Sequence, residues 1–329
     1  MRVAAIDCGT NSIRLLVADL DPTAHDDLPQ VAARGASPAT TGRRSPGKVD
    51  LHREMRIVRL GQGVDRTGVL APEALERTRA AVVDYAATCA ELGVERTRFV
   101  ATSATRDAGN REIFTSMVIE ALHVQPEVIS GDEEAALSFL GATAGLDAEG
   151  PFLVMDIGGG STELVVGTDR VEAARSVDVG CVRLTERHLH DDPPTALQVA
   201  AARADVEAAL ALAEQVVPVA TARTAIGLAG SVTTVAALAL ELPSYQADRV
   251  HLSRITAAQV REVTARLLGM THAQRAALPV MHPGRVDVIG GGALVLLTAV
   301  ERFGLDEVLV SESDILDGIA LSLTPDVVA

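Results

Sequence analysis

Residues 3–17 read VAAIDCGTNSIRLLV and residues 152–166 read FLVMDIGGGSTELVV, two stretches that align without a gap at an offset of 149 residues. The alignment sets Asp7 on Asp156, Gly9 on Gly158, Ser12 on Ser161, Leu15 on Leu164 and Val17 on Val166. Each copy is an apolar run, a tight Asp-x-Gly turn and a second apolar run, the pattern of strand, turn, strand. A length of 329 residues suits two domains, one around each copy.

The turns carry the chemistry. Gly9 and the glycines at 158–160 let backbone amides crowd together into a nest for phosphate oxygens. Asp7 and Asp156 stand at strand ends beside these nests and would repel phosphate unless a divalent cation sat between them. Hard oxygen ligands at a phosphate site favour magnesium, with manganese as an alternative. A pair of ordinary hairpins with Asp and Gly as turn formers is the plainer reading. Two copies with the same Asp-x-Gly-x-x-Ser order favour facing phosphate clamps.

Outward from the hairpins, strands and helices alternate. Residues 56–60 and 98–102 read as strands, and 72–92 and 108–122 as helices. In the second half 195–216, 231–240 and 256–268 read as helices, and 224–229 as a strand. Residues 22–50, rich in Pro, Gly, Ser, Thr and charge, read as a loop insertion. The expectation is a duplicated α/β fold with domains at 1–127 and 128–329, a terminal helix near 312–324 packed back on the first domain, and a site in the cleft between them.

A net charge of −15 argues against nucleic acid and anionic membranes as partners. It does not exclude an anionic substrate, which local arginines, amides and metal would meet. Lys48 is the sole lysine among 29 basic residues, and arginine makes planar two-point contacts to phosphate. No segment reaches the roughly 18 apolar residues of a membrane span, and the N-terminus has no signal-like stretch, so a cytoplasmic protein is expected. Cys8, Cys89 and Cys181 lie far apart and read as small buried hydrophobes.

The stretch SGDEEAALSFLGA at 130–142 opens a helix. Ser130 and Glu133 have capping-box spacing, which leaves Glu134, about 100° further round, free to face the cleft. There it can serve as general base toward a water attacking a terminal phosphorus; otherwise it is a first-turn glutamate favoured by the helix dipole. Glu163 can orient that water or hold a metal-bound one, or it is a plain surface strand position, since Arg14 fills the equivalent place in the first copy. In VATSATRDAGNREIF at 100–114, the hydroxyls of Thr102, Ser103 and Thr105 can cap a helix, and Arg106 and Asn110 share a face at i, i+4. LAGSVTTVAAL at 228–238, and Arg285 with the glycines in RVDVIGGGALVLL at 285–297, can bind phosphate or merely allow close packing. His188 and His190 beside Asp191 and Asp192 read as a solvated loop rather than a metal site.

No G-x-x-x-x-G-K-[ST] loop, no G-x-G-x-x-G opening a helix after a strand and no G-x-S-x-G elbow occurs. Direct attack by water, with no covalent phosphoenzyme, is the expected route.

AAIDCGTNSIRLLVADL, VATSATRDAGNREIF, EVISGDEEAALSFLGA, VMDIGGGSTELVVG, VGCVRLTERH, GLAGSVTTVAAL and RVDVIGGGAL occur in this order. In that order the chain resembles the exopolyphosphatase / guanosine pentaphosphate phosphohydrolase family. This family belongs to the sugar kinase, Hsp70 and actin superfamily of duplicated ribonuclease-H-like domains. The resemblance runs from residue 1 to about 324 apart from 22–50. It implies Glu134 as catalytic base, with Asp156 and Glu163 around a magnesium and the attacking water, and Asp7 on the metal side. It implies phosphate binding by Thr10, Asn11 and Ser12 and by Gly158, Gly159, Gly160 and Ser161, with Arg14, Arg106 and Arg285 on the anionic oxygens. It also implies a homodimer acting on inorganic polyphosphate or on guanosine pentaphosphate. The chain looks like the short form, which stops where longer members continue into a helical domain, and shorter polyphosphates are the expected substrates. A sugar kinase of the same superfamily and a silent polyphosphate or alarmone sensor are disfavoured by SGDEEA and the Glu134, Asp156 and Glu163 set.

Overall fold

The computed structural model describes residues 1–21, 44–45 and 47–324. Most of the insertion expected at 22–50 lies outside the described residues. Its end does not: the chain is already in a strand by Lys48.

The first half runs β1 (Arg2–Cys8), β2 (Ser12–Leu20), β3 (Arg44–Ser45), β4 (Lys48–Ile57), α1 (Val64–Thr67), α2 (Pro72–Glu91), β5 (Arg96–Ala101), α3 (Ser103–Asp107), α4 (Arg111–Leu122) and β6 (Glu127–Val128). Helix α5 (Gly131–Thr143) leads into β7 (Phe152–Ile157), β8 (Thr162–Gly167) and β9 (Val171–Val177). There follow α6 (Cys181–His188), α7 (Ala196–Glu214), β10 (Thr224–Leu228), α8 (Ala229–Ala239), α9 (Ala247–Val250), β11 (Arg254–Thr256) and α10 (Ala257–Gly269). The chain closes with α11 (His272–Ala276), α12 (Ile289–Arg302), β12 (Glu307–Val310) and α13 (Ile315–Leu321).

The two sheets have the orders β3-β4-β2-β1-β5-β6 and β11-β12-β10-β7-β8-β9. Their centres match strand for strand. β1 pairs antiparallel with β2 and parallel with β5, as β7 pairs with β8 and β10. This is the duplicated ribonuclease-H-like architecture, and the sequence echo falls on its central hairpins. β1 and β7 are buried along almost their whole length, as strands covered on both faces must be, which is why both read as unbroken apolar runs.

Helix α2 begins with Pro72 at its first position, where a missing N–H costs no hydrogen bond. Its buried stripe, Ala74, Thr78, Ala81, Val82, Tyr85 and Cys89, covers the outer face of the first sheet with α4. Helices α7, α8, α10 and α12 cover the outer face of the second. Between the sheets lie α5, packed on the second through Ala135, Phe139 and Ala142, and α13, packed on the first through Ile315, Leu316 and Ile319. These two helices cross backbone to backbone: a Cβ on Gly141 would lie 1.8 Å from the Asp314 carbonyl oxygen, and one on Gly318 would lie 1.9 Å from that of Leu137. Only glycine fits such a crossing.

Strand β4 inverts the usual alternation. Lys48 and Asp50 face inward while Val49 and Leu51 are exposed. Lys48 is fully buried; its Nζ pairs with Asp50 and, at 2.8 Å, with Asp317 of α13. Arg53 joins Asp317 at 2.7 Å. Sequence patterning placed a strand at 56–60 because charged residues at 48–56 hide the period-two signal; the strand ends at Ile57. The helix expected from residue 108 begins instead at Arg111, after a separate turn of helix in α3.

Candidate active site

Each Asp-x-Gly turn is closed by the same hydrogen bond, Gly9 N–H to the Ser12 carbonyl at 2.9 Å and Gly158 N–H to that of Ser161 at 3.0 Å. The turns meet face to face. A Cβ on Gly159 would sit 2.9 Å from Thr10 Cβ, and one on Gly160 would sit 2.7 Å from Thr10 Oγ1 and 2.2 Å from Ser103 Oγ. The glycines are required by this approach. Carbonyls of both turns are committed to neighbours: Thr10 to Gly61, Asn11 to Val58 and Arg59, Gly158 to Cys181 and Gly159 to Val182.

A cavity of about 100 Å³ lies where the turns meet. It is lined by Asp7, Thr10, Asn11, Ser12 and Arg14 from the first hairpin and by Asp156, Gly158, Gly159, Gly160 and Ser161 from the second, with Glu134 and Arg285. Glu163 and Arg106 are not in this lining, but Arg106 holds Glu134 and Glu163 faces Asp156 across the second hairpin.

Glu134 sits in the first turn of α5, held against Arg106 Nη1 at 3.1 Å. Ser130 caps the helix by accepting from Glu133 N–H at 3.2 Å, but the Glu133 carboxylate turns away to Arg98 at 2.7 Å and does not complete a capping box. Burial raises the Glu134 pKa to about 8; Arg106 opposes the rise, while Asp156 and Asp7 add to it. Asp156 is pushed up to about 6, first by burial and then by repulsion from Asp314, although Ser138 donates a 2.6 Å hydrogen bond to it. Glu163 is raised well above the carboxylate range by burial and by Glu134 and Asp156, with Ser176 donating to its Oε1 at 2.7 Å. It is 1% exposed, so the plain surface alternative fails.

The first hairpin is arranged differently. Arg14 donates through Nε and Nη2 to Asp7 Oδ2 at 3.0 and 2.7 Å, and its Nη1 donates to Asp314. Arg14 and Arg106 are therefore both engaged with carboxylates. Arg285 has no carboxylate partner among the described residues: its Nη1 donates to the Gly230 carbonyl at 2.6 Å and to Thr234 Oγ1 at 3.2 Å, and desolvation lowers its pKa. A half-buried guanidinium so placed is the stronger candidate to receive an anion.

Among the described residues no three His, Cys, Asp or Glu side chains are grouped to hold a metal by themselves. A hard cation that keeps its waters and shares substrate phosphates would need only one or two carboxylates here. Burial raises the pKa of both aspartates; Asp156 suits that role better than Asp7, whose Oδ2 already accepts two hydrogen bonds from Arg14.

Other expectations are redirected. Asn110 clamps Leu70, accepting from its N–H at 2.8 Å and donating to its carbonyl at 3.0 Å. It stands at the start of α4 without a side-chain cap, while Arg106 lies in α3, so the shared-face argument fails. Thr102 makes no side-chain cap; instead Ser103 Oγ bonds Thr10 Oγ1 at 3.1 Å. The glycines of 285–297 lie inside α12, packed against Ser231 and Cys181. His188 bonds Asp205 at 3.0 Å. Ser138, Ser176 and Asp314 were not foreseen. Ser138 stands four residues after Glu134, on one helix face, a signal that was available; the other two are placed by register and topology.

An acidic cleft between two facing glycine turns, carried on a duplicated α/β fold, is the arrangement of an enzyme that handles phosphate groups. The model of the Ppx/GppA phosphatase family matches residues 43–326. The chain belongs to that family and is, with it, a hydrolase of phosphoanhydride bonds. It is 53% identical over 332 residues to Exopolyphosphatase 2 of Mycobacterium tuberculosis, with 98% of each chain covered. The crystal structure of an exopolyphosphatase-like protein superposes with a TM-score of 0.88 at 42% identity, covering 98% of both chains. The Ppx/GppA family member of Aquifex aeolicus gives a TM-score of 0.76 at 29% identity, over 98% of this chain and 97% of that one. No helix among the described residues is long and apolar enough to cross a membrane.

Proposed function

We propose that the protein is an exopolyphosphatase, releasing orthophosphate from the end of inorganic polyphosphate, with short chains preferred. The observation that carries this reading is Glu134: a cleft carboxyl with a pKa near 8, beside two facing glycine turns. The terminal phosphoryl group sits between the turns, against Thr10, Asn11 and Ser12 on one side and Gly158, Gly159, Gly160 and Ser161 on the other. Glu134 takes a proton from water as the water oxygen bonds to the terminal phosphorus and the bridging P–O bond breaks. The products are orthophosphate and a chain one unit shorter. Arg14 and Arg285 meet the anionic oxygens, and Arg106 holds the base. Glu163, opposite Asp156 across the second hairpin, adds a third carboxyl to the cluster that orients the attacking water. Asp156, with Asp7 at its edge, would hold magnesium or manganese, which when bound neutralises phosphate charge and favours attack. We take the enzyme to be cytoplasmic and to work as a homodimer, as the family resemblance implies.

A second reading, hydrolysis of guanosine pentaphosphate, is favoured by a neighbouring chamber of about 400 Å³ that shares Arg14, Gly230 and Arg285 with the cleft. Tyr245, Val280 and Met281 line it, and an apolar, aromatic wall suits a nucleoside better than a continuing polyanion. Phosphate release with magnesium from short polyphosphate, long polyphosphate and guanosine pentaphosphate decides between them. Higher kcat/KM on short polyphosphate is the expected result; turnover of the nucleotide alone would replace the first reading with the second.

A further inference from the structure

We infer that Asp314, at the start of the terminal helix, is a positioning residue for phosphate release that acts through Arg14. The inference rests on the reading of the cleft as the place where the terminal phosphate is held. Arg14 lines both the cleft and the neighbouring chamber. Its guanidinium is gripped by Asp7 on its own hairpin and by Asp314, 300 residues further along the chain. Three of the five N–H donors of a guanidinium are thereby used, and two have no partner among the described residues. Held by Asp7 alone, the group could swing about that contact. The second anchor removes this freedom, so the two remaining donors meet a phosphate oxygen with little further loss of side-chain entropy.

Asp314 can serve as an anchor because it is itself fixed. Its Oδ1 accepts from Leu316 N–H at 3.0 Å, capping α13, and its own N–H donates to Asp317 Oδ2 at 3.1 Å. Asp317 is pinned in turn by Lys48 at 2.8 Å and Arg53 at 2.7 Å. The helix it caps is rooted in the core of the first sheet through Ile315, Leu316 and Ile319. The seating of α13 is thus transmitted to a phosphate-facing guanidinium.

The test separates positioning from simple stabilisation. Asp314→Asn and Asp314→Ser each keep an acceptor for the Leu316 amide, and so the cap, while removing the charge that faces Arg14. Melting shifts of no more than about 4 °C are expected. With short polyphosphate, KM should rise about tenfold with kcat changed little, the signature of a lost charge-assisted contact to a bound anion. In an Arg14→Ala background the same substitutions should add no further rise in KM, because that effect runs through the arginine. Asp314→Glu should recover part of the loss. Wild-type KM in Asp314→Asn, a loss that simply adds to that of Arg14→Ala, or failure of both capped variants to fold would overturn the inference. Calorimetry with inorganic phosphate on the same proteins keeps this outcome distinct from the choice of substrate. Weaker phosphate binding by Asp314→Asn upholds the role of Asp314 even where polyphosphate is not hydrolysed, whereas equal binding refutes it.

Discussion

Asp156 faces Glu163 across β7 and β8 in the same register in which Asp7 faces Arg14 across β1 and β2. The duplicated hairpins therefore present opposite electrostatics from equivalent positions. In the first, the aspartate is paired with a guanidinium, although burial still raises its pKa. In the second, two carboxyls stand side by side with Glu134 close by, and all three are pushed toward protonation. One copy supplies a neutralised clamp and the other a site that a proton or a divalent cation relieves.

Glu134→Gln tests the base. Loss of a general base lowers the rate by roughly 10²–10⁴-fold, while the turns and arginines remain, so polyphosphate binding should stay near the wild-type level. Steady-state phosphate release with an equilibrium binding measurement checks both halves. Turnover close to wild type would remove Glu134 from the mechanism.

The pH dependence follows from the sign of the same shift. A carboxyl raised to about 8 is ionised, and able to accept a proton, only as pH climbs. The kcat/KM profile should therefore rise through neutrality toward a plateau on the alkaline side. Arg106 opposes the raised pKa, so Arg106→Ala should move the limb further alkaline, with a larger deficit at pH 7 than at pH 9. A limb that does not move would mean that another group is titrating.

Stability should trade against activity at the second hairpin. A carboxyl whose folded pKa exceeds its unfolded value opposes folding progressively as pH rises through that gap. Glu163→Gln removes the opposition, so the melting temperature should rise at pH 7.5, and the gain should shrink toward pH 4, while activity falls. Asp317 has the opposite sign. Although burial raises its pKa, Arg53 and Lys48 outweigh that and bring it to about 2, so its contribution is present above the unfolded carboxylate pKa and is lost as pH falls through about 2. Asp317→Asn leaves Lys48 and Arg53 short of a counter-charge and should cost about 3–5 kcal/mol at neutral pH. Thermal melts across pH read both effects.

Chelation of divalent cations should abolish phosphate release, and magnesium or manganese should restore it. A cation that binds the folded state also raises its melting temperature. That rise should be lost in Asp156→Asn and largely kept in Asp7→Asn, because Arg14 already occupies the Asp7 carboxylate. Equal loss in both variants would point to two equivalent cation ligands.

The hairpins and their turns were legible because the signal is local: the glycines that mark each turn in the sequence are the ones that let the two turns approach. Glu134 was legible through the capping spacing that places it, although Glu133 turned out to serve Arg98. What the sequence hid depends on distant register. The tether of Arg14 to Asp314 joins the two ends of the chain, and the Ser176 support of Glu163 depends on how β9 pairs with β8. Strand β4 was obscured because its inward residues, Lys48 and Asp50, are charged and meet a helix far away in sequence.

Gly230 shows how tightly the cleft is built. A Cβ there would fall 1.9 Å from the Arg285 guanidinium carbon, so Gly230→Ala must displace the one arginine of the three assigned to phosphate that has no carboxylate partner among the described residues. KM should rise by tenfold or more, as in Arg285→Ala, with a smaller effect on kcat. An unchanged KM would remove Arg285 from substrate binding.

The burial of Lys48 has a chemical corollary. It is the single lysine of the sequence and is 1% exposed, so the folded surface offers no ε-amine to acyl donors, amine-directed cross-linkers or conjugating enzymes. Lysine labelling of this protein would register the parting of β4 from α13, and the time course of such labelling would follow that seam as it opens.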